Sequence, residues 1–349
     1  MRNHLGILCA LLLISSCAKD VPVPEDEFPK GPTPLTIQTP FGFPQLIIPQ
    51  NNPTTIEGVA LGRKLFYDPI LSGNNAMSCA SCHAQNFGFT DHENTVSTGI
   101  DGIAGTRNSM PLFNLAWAPA LLWDGGAADL ESQVLAPITS PIEMHEDVAH
   151  ALDELNAHNE YPALFEKAFG TPKATSFLLM KAIAQFERTM ISADSKYDRY
   201  MRGDAQFSEQ EIRGMNLFSD MNKGDCNHCH TLGGLFTDFG YRNTGLDFEY
   251  ADQGRFLITL NEADKGKFKT PSLRNIALTA PYMHDGRFTT LMECVQHYNT
   301  GFVVTPNLDP ALAFVQQGRM TQQEMEDIVV FLHTLSDSSF ISNPAFSAP

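Results

Sequence analysis

The sequence predicts a mainly α-helical fold of two tandem domains with long loops. Three observations predict it. Apolar residues recur at helical spacing, strand patterns are few, and one order of features occurs twice: a helix, the string C-x-x-C-H, a long loop and a closing helix. With 43% hydrophobic residues, the chain can bury two modest cores.

Taken in order, residues 1–16 read as an export signal. Arg2 precedes a short apolar run from Leu5 to Ile14, too short for a comfortable membrane span. Ile14-Ser15-Ser16-Cys17 fits a lipoprotein signal with lipid on Cys17; an ordinary signal peptide cut nearby is the alternative. The expected location is the cell envelope, facing the periplasm or at the surface. Residues 17–53 are rich in proline and read as an extended tether. The first domain is expected over 54–195, the second over 196–338, and a tail over 339–349.

In the first domain, Ile56, Val59, Ala60 and Leu65 predict a helix before the first motif. Phe177, Met180 and Ala184 predict a long amphipathic helix running to Met190. In the second, Ser208–Glu211 is a capping box opening a helix with Ile212, Met215 and Phe218 inward. Thr290–Glu293 and Thr321–Glu324 open two more.

The two repeated strings are Cys79-Ala80-Ser81-Cys82-His83 and Cys226-Asn227-His228-Cys229-His230. Each is a haem c attachment signature: two thioether bonds, with the adjacent histidine ligating iron. Two zinc knuckles or dithiol pairs are the competing reading. An exported chain and a histidine directly after the second cysteine favour haem, making these two tandem cytochrome c-type haem domains. Of seven cysteines only Cys294 then lacks a role, so no disulfide framework is expected. A formal net charge of −17 disfavours nucleic acid and suits a redox partner with a basic patch.

Beyond haem count, the chain resembles bacterial dihaem cytochrome c peroxidases and their MauG-like relatives over residues ~55–337. The strings that carry the resemblance are Leu61–Phe66, Ser78–His83, Arg107-Asn108-Ser109, Leu122-Trp123-Asp124-Gly125, Pro141-Ile142-Glu143-Met144, Gly254-Arg255-Phe256, Phe268–Asn275 and Thr279–Gly286. The resemblance implies that the His83 haem meets peroxide and the His230 haem admits or stores electrons. It implies that Trp123 lies between them as a conduit, and that Glu143 and Gln133 are the distal acid and amide. A carboxylate in an apolar haem pocket can take and return the proton that O–O cleavage requires. It also implies a Ca²⁺ site at Asn108 with the carbonyls of Thr279 and Pro281.

Two positions depart from the peroxidase pattern. Many members carry a capping histidine in a Ser-x-Gly-His loop; here the loop is Ser97-Thr98-Gly99-Ile100. Isoleucine cannot ligate iron, so the first haem is expected to be open without prior reduction, with His92 the one nearby substitute. At the second haem, the methionine position of the peroxidases is Tyr298, as in the MauG-like branch. Met283, Met292 and His297 remain alternative ligands. In that branch a tryptophan just before the second motif relays holes to a protein substrate; here Gly224 and Asp225 stand there.

The resemblance thus implies a peroxidase that reduces hydrogen peroxide to water with electrons from a small c-type cytochrome or similar donor, and admits a homodimer. The alternatives are a MauG-like oxidase using peroxide-derived high-valent iron on another substrate, and a non-catalytic dihaem electron carrier.

Overall fold

The helices that carry the core are, in chain order, α1 (Ile56–Tyr67), α2 (Val148–Ala157), α3 (Tyr161–Phe169), α4 (Ser176–Thr189), α5 (Lys196–Arg202), α6 (Glu209–Ser219), α7 (Leu291–Gln296) and α8 (Gln322–His333). The computed structural model describes residues 31–92, 94–313 and 316–349, and residues 31–349 form one compact unit. The expected export signal and Cys17 lie outside the described residues. The fold is helix-rich. Among the described residues its sheet is a single antiparallel pair of two-residue strands, β1 (Tyr241–Arg242) and β2 (Phe268–Lys269).

Two helix pairs organise the core on one plan. Helix α1 packs on α4, and α6 packs on α8. Each contact is made close by a glycine. A Cβ on Gly62 would sit 1.9 Å from the Ala182 carbonyl, and one on Gly214 would sit 2.0 Å from that of Asp327. No larger residue allows the backbones to approach so nearly. The expected capping boxes open α6 at Ser208, α7 at Thr290 and α8 at Thr321.

Leu65, Ala184 and Phe218 are buried as expected, but three other expected inward positions are not. Ile56, Phe177 and Ile212 are exposed, at 52%, 52% and 37%. The buried face of α1 runs through Gly58, Leu61, Gly62 and Leu65, and that of α6 through Glu211, Gly214 and Phe218. A hydrophobic pattern that counts only large side chains passes over the small residues that make the contact.

The described part of the proline-rich stretch, expected as an extended tether, packs onto the body instead, and so does the tail. In the proline-rich stretch, Leu35 N–H donates to Thr54 O at 2.9 Å, Leu46 is buried, and Asn52 donates to Glu131 Oε1 at 2.6 Å. Residues 339–349 fold back on the first half. Phe340 and Phe346 join Phe66 and Phe89 in one cluster, and Arg63 Nε donates to Ser347 O at 2.6 Å. Aromatic rings at 340 and 346 have a core to fill, which a solvated tail does not.

The segment joining the halves is held by buried polar groups. Asn114 exchanges hydrogen bonds with the Ser192 backbone, and Asn275 Nδ2 donates to Ser192 Oγ at 3.0 Å. Asp337 Oδ2 accepts from Ser192 Oγ, Ala193 N and Asp194 N. Its Oδ1 accepts from Ser339 Oγ and Phe340 N. Asp337→Ala strands these donors and should cost about 3 kcal/mol or more of unfolding free energy, read by chemical denaturation.

Candidate active site

The two C-x-x-C-H strings adopt one local geometry. Cys79–Ser81 and Cys226–His228 are single 3₁₀ turns. His83 Nδ1 lies 2.8 Å from Phe89 O and His230 Nδ1 lies 3.3 Å from Phe236 O, each six residues on. Phe89 and Phe236 are both fully buried and both in the left-handed region, at φ 61° and 52°. That turn aims each carbonyl back at the imidazole. Tying Nδ1–H to a carbonyl fixes the tautomer and leaves Nε2 as the ligating atom.

These residues fit covalent haem. Burial pulls both imidazoles below their ordinary pKa, His230 to about 4, so they are neutral. Burial pushes the Cys79 and Cys226 thiols up to about 12. Among the described residues, only Glu146, His150 and Glu154 gather three such ligand atoms within 4.8 Å, so neither motif folds as a zinc knuckle. The second motif also opens on an apolar cavity of about 210 Å³, lined by Cys226, Cys229, His230 and, opposite them in sequence, Met283, Cys294 and Tyr298.

Around the first motif, the loop carrying Ile100 is bound to the loop carrying Glu143. Ile100 N–H donates to Glu143 O at 2.9 Å, and Gly99 lies flat on the Ile142 carbonyl. Ser97 hydrogen-bonds to Cys82, and the Glu143 charge helps raise that thiol. Glu143 is therefore beside the first motif. Its side chain is exposed in the bare chain, yet the surrounding protein desolvates the carboxyl and raises its pKa. Gln133 ends the short helix Leu130–Gln133, half-buried, with no hydrogen bond from its amide among the described residues. No direct bond joins it to Glu143. His92 stacks on Phe87 at 3.5 Å between ring centroids.

Between the motifs runs a short chain of contacts. Ser109 Oγ donates to Cys82 O and lies 3.4 Å from His83 Nδ1. Trp123 Nε1 donates to Asn108 O at 2.9 Å, and Trp123 lines the second cavity. Asn108, Thr279 and Pro281 line that cavity too. Asn108 Nδ2 donates to Thr95 O, and no hydrogen bond among the described residues engages its side-chain Oδ1.

At the second motif, α7 ends in a wide turn, His297–Gly301, which presents Tyr298 to the cavity. Burial raises the Tyr298 pKa, and Cys229 and Cys226 are close enough to add to the rise. His297 is buried elsewhere, its Nε2 2.9 Å from Thr244 O. Met292 packs in the core cluster, whereas Met283 shares the cavity.

Sequence reasoning missed two features. Arg107 binds Asp124 and Asp252, each at 2.6 Å, tying the two halves beside Trp123. Lys269 is buried in the second cavity without an acid partner among the described residues, and burial lowers its pKa to about 8. Both lie in strings that signalled resemblance, but nothing in spacing gives an unpaired buried lysine a role.

Gly99→Ala would set a Cβ 2.3 Å from Ile142 O and push apart the loops of Ile100 and Glu143. It should cost about 1–3 kcal/mol by denaturant unfolding. Gly105→Ala, whose nearest atom is at 3.4 Å, should be close to neutral.

A family profile described as di-haem cytochrome c peroxidase matches residues 56–206. The methylamine utilization protein MauG of Methylophilus methylotrophus is 31% identical, covering 95% of this chain and 95% of that protein. The cytochrome c551 peroxidase of Nitrosomonas europaea is 34% identical over 85% of this chain and 84% of its own. A crystal structure of a MauG-like protein associated with microbial copper homeostasis superposes with a TM-score of 0.84 at 35% identity, covering 90% of this chain and 99% of that one.

Proposed function

The chain belongs to the family of di-haem cytochrome c peroxidases and MauG proteins, and from that premise we propose that it reduces hydrogen peroxide to water. Two haem c groups, one in each of two tandem domains, are the cofactors. A small c-type cytochrome or similar donor in the periplasm supplies the electrons. No helix among the described residues is long and apolar enough to cross a membrane.

The observation that carries this reading is the pairing of Ile100 with Glu143 beside the first motif. The loop that holds a capping histidine in many relatives offers only an alkyl side chain, and a carboxyl is bound next to it. When bound, each haem supplies an iron that exchanges electrons with peroxide or with the other haem. His83 and His230 would each ligate one iron through Nε2, their rings oriented by the Phe89 and Phe236 carbonyls. Glu143 takes a proton from one peroxide oxygen and returns it to the other as the O–O bond breaks. Two electrons and two further protons complete two waters. Gln133 donates a hydrogen bond to the peroxide, and Trp123 carries electrons between the sites. Asn108, with the carbonyls of Thr279 and Pro281, would hold Ca²⁺ near that path.

A second reading, oxidation of another substrate, is favoured by one observation. Tyr298 faces the second cavity near Cys226 and Cys229, while His297 is engaged by Thr244. A tyrosinate ligand stabilises the ferric state and lowers the potential, which suits storing oxidising equivalents.

Glu143→Gln should slow the peroxide reaction about 10²–10⁴-fold in stopped-flow at unchanged haem content. The wild-type rate should fall as pH drops through the Glu143 pKa, above the ordinary glutamate range, because only the carboxylate accepts the proton. That limb should vanish in the variant; an unchanged rate overturns the assignment.

Low-temperature EPR of the ferric protein should show one high-spin haem before any reduction. Tyr298→Met should raise the potential of the second haem, whereas His297→Gln should leave its spectrum unaltered. Failure to oxidise any reduced cytochrome with peroxide removes the first reading in favour of the second.

A further inference from the structure

A cluster at the start of α2 uses none of the motif residues. Glu146, His150 and Glu154 each bring one ligand atom to within 4.8 Å of the others. Steps of four residues set all three on one face, with Glu146 just ahead of the helix.

Burial gives this cluster its meaning. Glu146 is only 5% exposed. Its Oε1 lies 3.0 Å from His150 Nδ1, while its Oε2 is buried and makes no hydrogen bond. Glu154 repeats the arrangement: Oε1 accepts from Asn75 Nδ2 at 3.0 Å, and Oε2 is buried without a partner. Among the described residues no lysine or arginine pairs with either carboxylate. A buried carboxylate oxygen without a donor costs several kcal/mol. Two such carboxylates, each with a ligand atom within 4.8 Å of the imidazole's, call for a cation.

We propose that Glu146, His150 and Glu154 bind a divalent first-row transition ion of the Zn²⁺ type. Two carboxylate oxygens and one imidazole nitrogen match that class, whereas Ca²⁺ and Mg²⁺ favour oxygen-only sets. The His150 side chain is 59% exposed, which gives the ion a way in and leaves positions for water. Asn75 orients Glu154 as an outer partner.

The site also touches the loop of Glu143. Glu146 N–H donates to Ile138 O at 2.8 Å, and Gly73 N–H donates to Met144 O at 2.9 Å. A bound ion therefore ties this loop to α2. The site itself does not depend on the functional reading.

The test uses untagged protein with both haems in place, stripped by chelator and equilibrated with Zn²⁺. Zinc is counted against haem iron after gel filtration. Wild type should retain a single Zn²⁺ per chain, undisplaced by excess Ca²⁺ or Mg²⁺. His150→Ala and Glu154→Gln should each weaken binding ~10-fold or more, with the Soret band unchanged and each variant referred to its own zinc-free melting temperature. Zinc raising the melting temperature of wild type but not of the variants is the second expected readout. No retained zinc, equal retention by the triple variant Glu146→Gln, His150→Ala, Glu154→Gln, or ready displacement by Ca²⁺ overturns the proposal.

Discussion

The placement of the two motif sites relative to each other depends on one buried carboxylate. Asp337 gathers the backbone of Ala193 and Asp194, the Ser192 hydroxyl and the first turn after itself. Asn114 and Asn275, both in the left-handed conformation and each from one half, meet at Ser192. Left-handed backbone suits asparagine among the larger residues. The joint thus satisfies a buried, irregular backbone with side chains, which the burial of its peptide groups demands. A joint of this kind resists hinge motion, because opening it leaves several buried donors unpaired at once.

On that frame the two halves repeat a device and then diverge. In each, a glycine lets two helices approach, a C-x-x-C turn follows, and a left-handed phenylalanine returns a carbonyl to the histidine. Divergence lies in what each site faces. The first has a carboxyl and an isoleucine on two loops bonded to each other. The second has a tyrosine, a methionine and a buried lysine in one apolar cavity. Equal attachment with unequal surroundings gives two centres of different electrostatics, since haem reactivity is tuned by its neighbours rather than by the attachment itself.

The contacts between the sites are polar and paired. Arg107 holds carboxylates from both halves, and the Trp123 backbone and ring are each hydrogen-bonded. A tryptophan fixed at both its carbonyl and its ring nitrogen has little freedom to change its distance to either site.

The sequence by itself determined the chemistry at fixed short spacing: both C-x-x-C-H turns, the capping boxes, the helix-rich class and the family. It misplaced the outward faces at Ile56, Phe177 and Ile212, and it left residues 31–53 and 339–349 off the body. Those depend on where glycines permit close approach and on which aromatic rings find a partner far along the chain. The pairing of Ile100 with Glu143, the engagement of His297 by Thr244, the burial of Lys269 and the unsatisfied oxygens of Glu146 and Glu154 were decided only by tertiary structure. Each is a matter of what lies across space from a side chain, and a linear pattern carries no record of that.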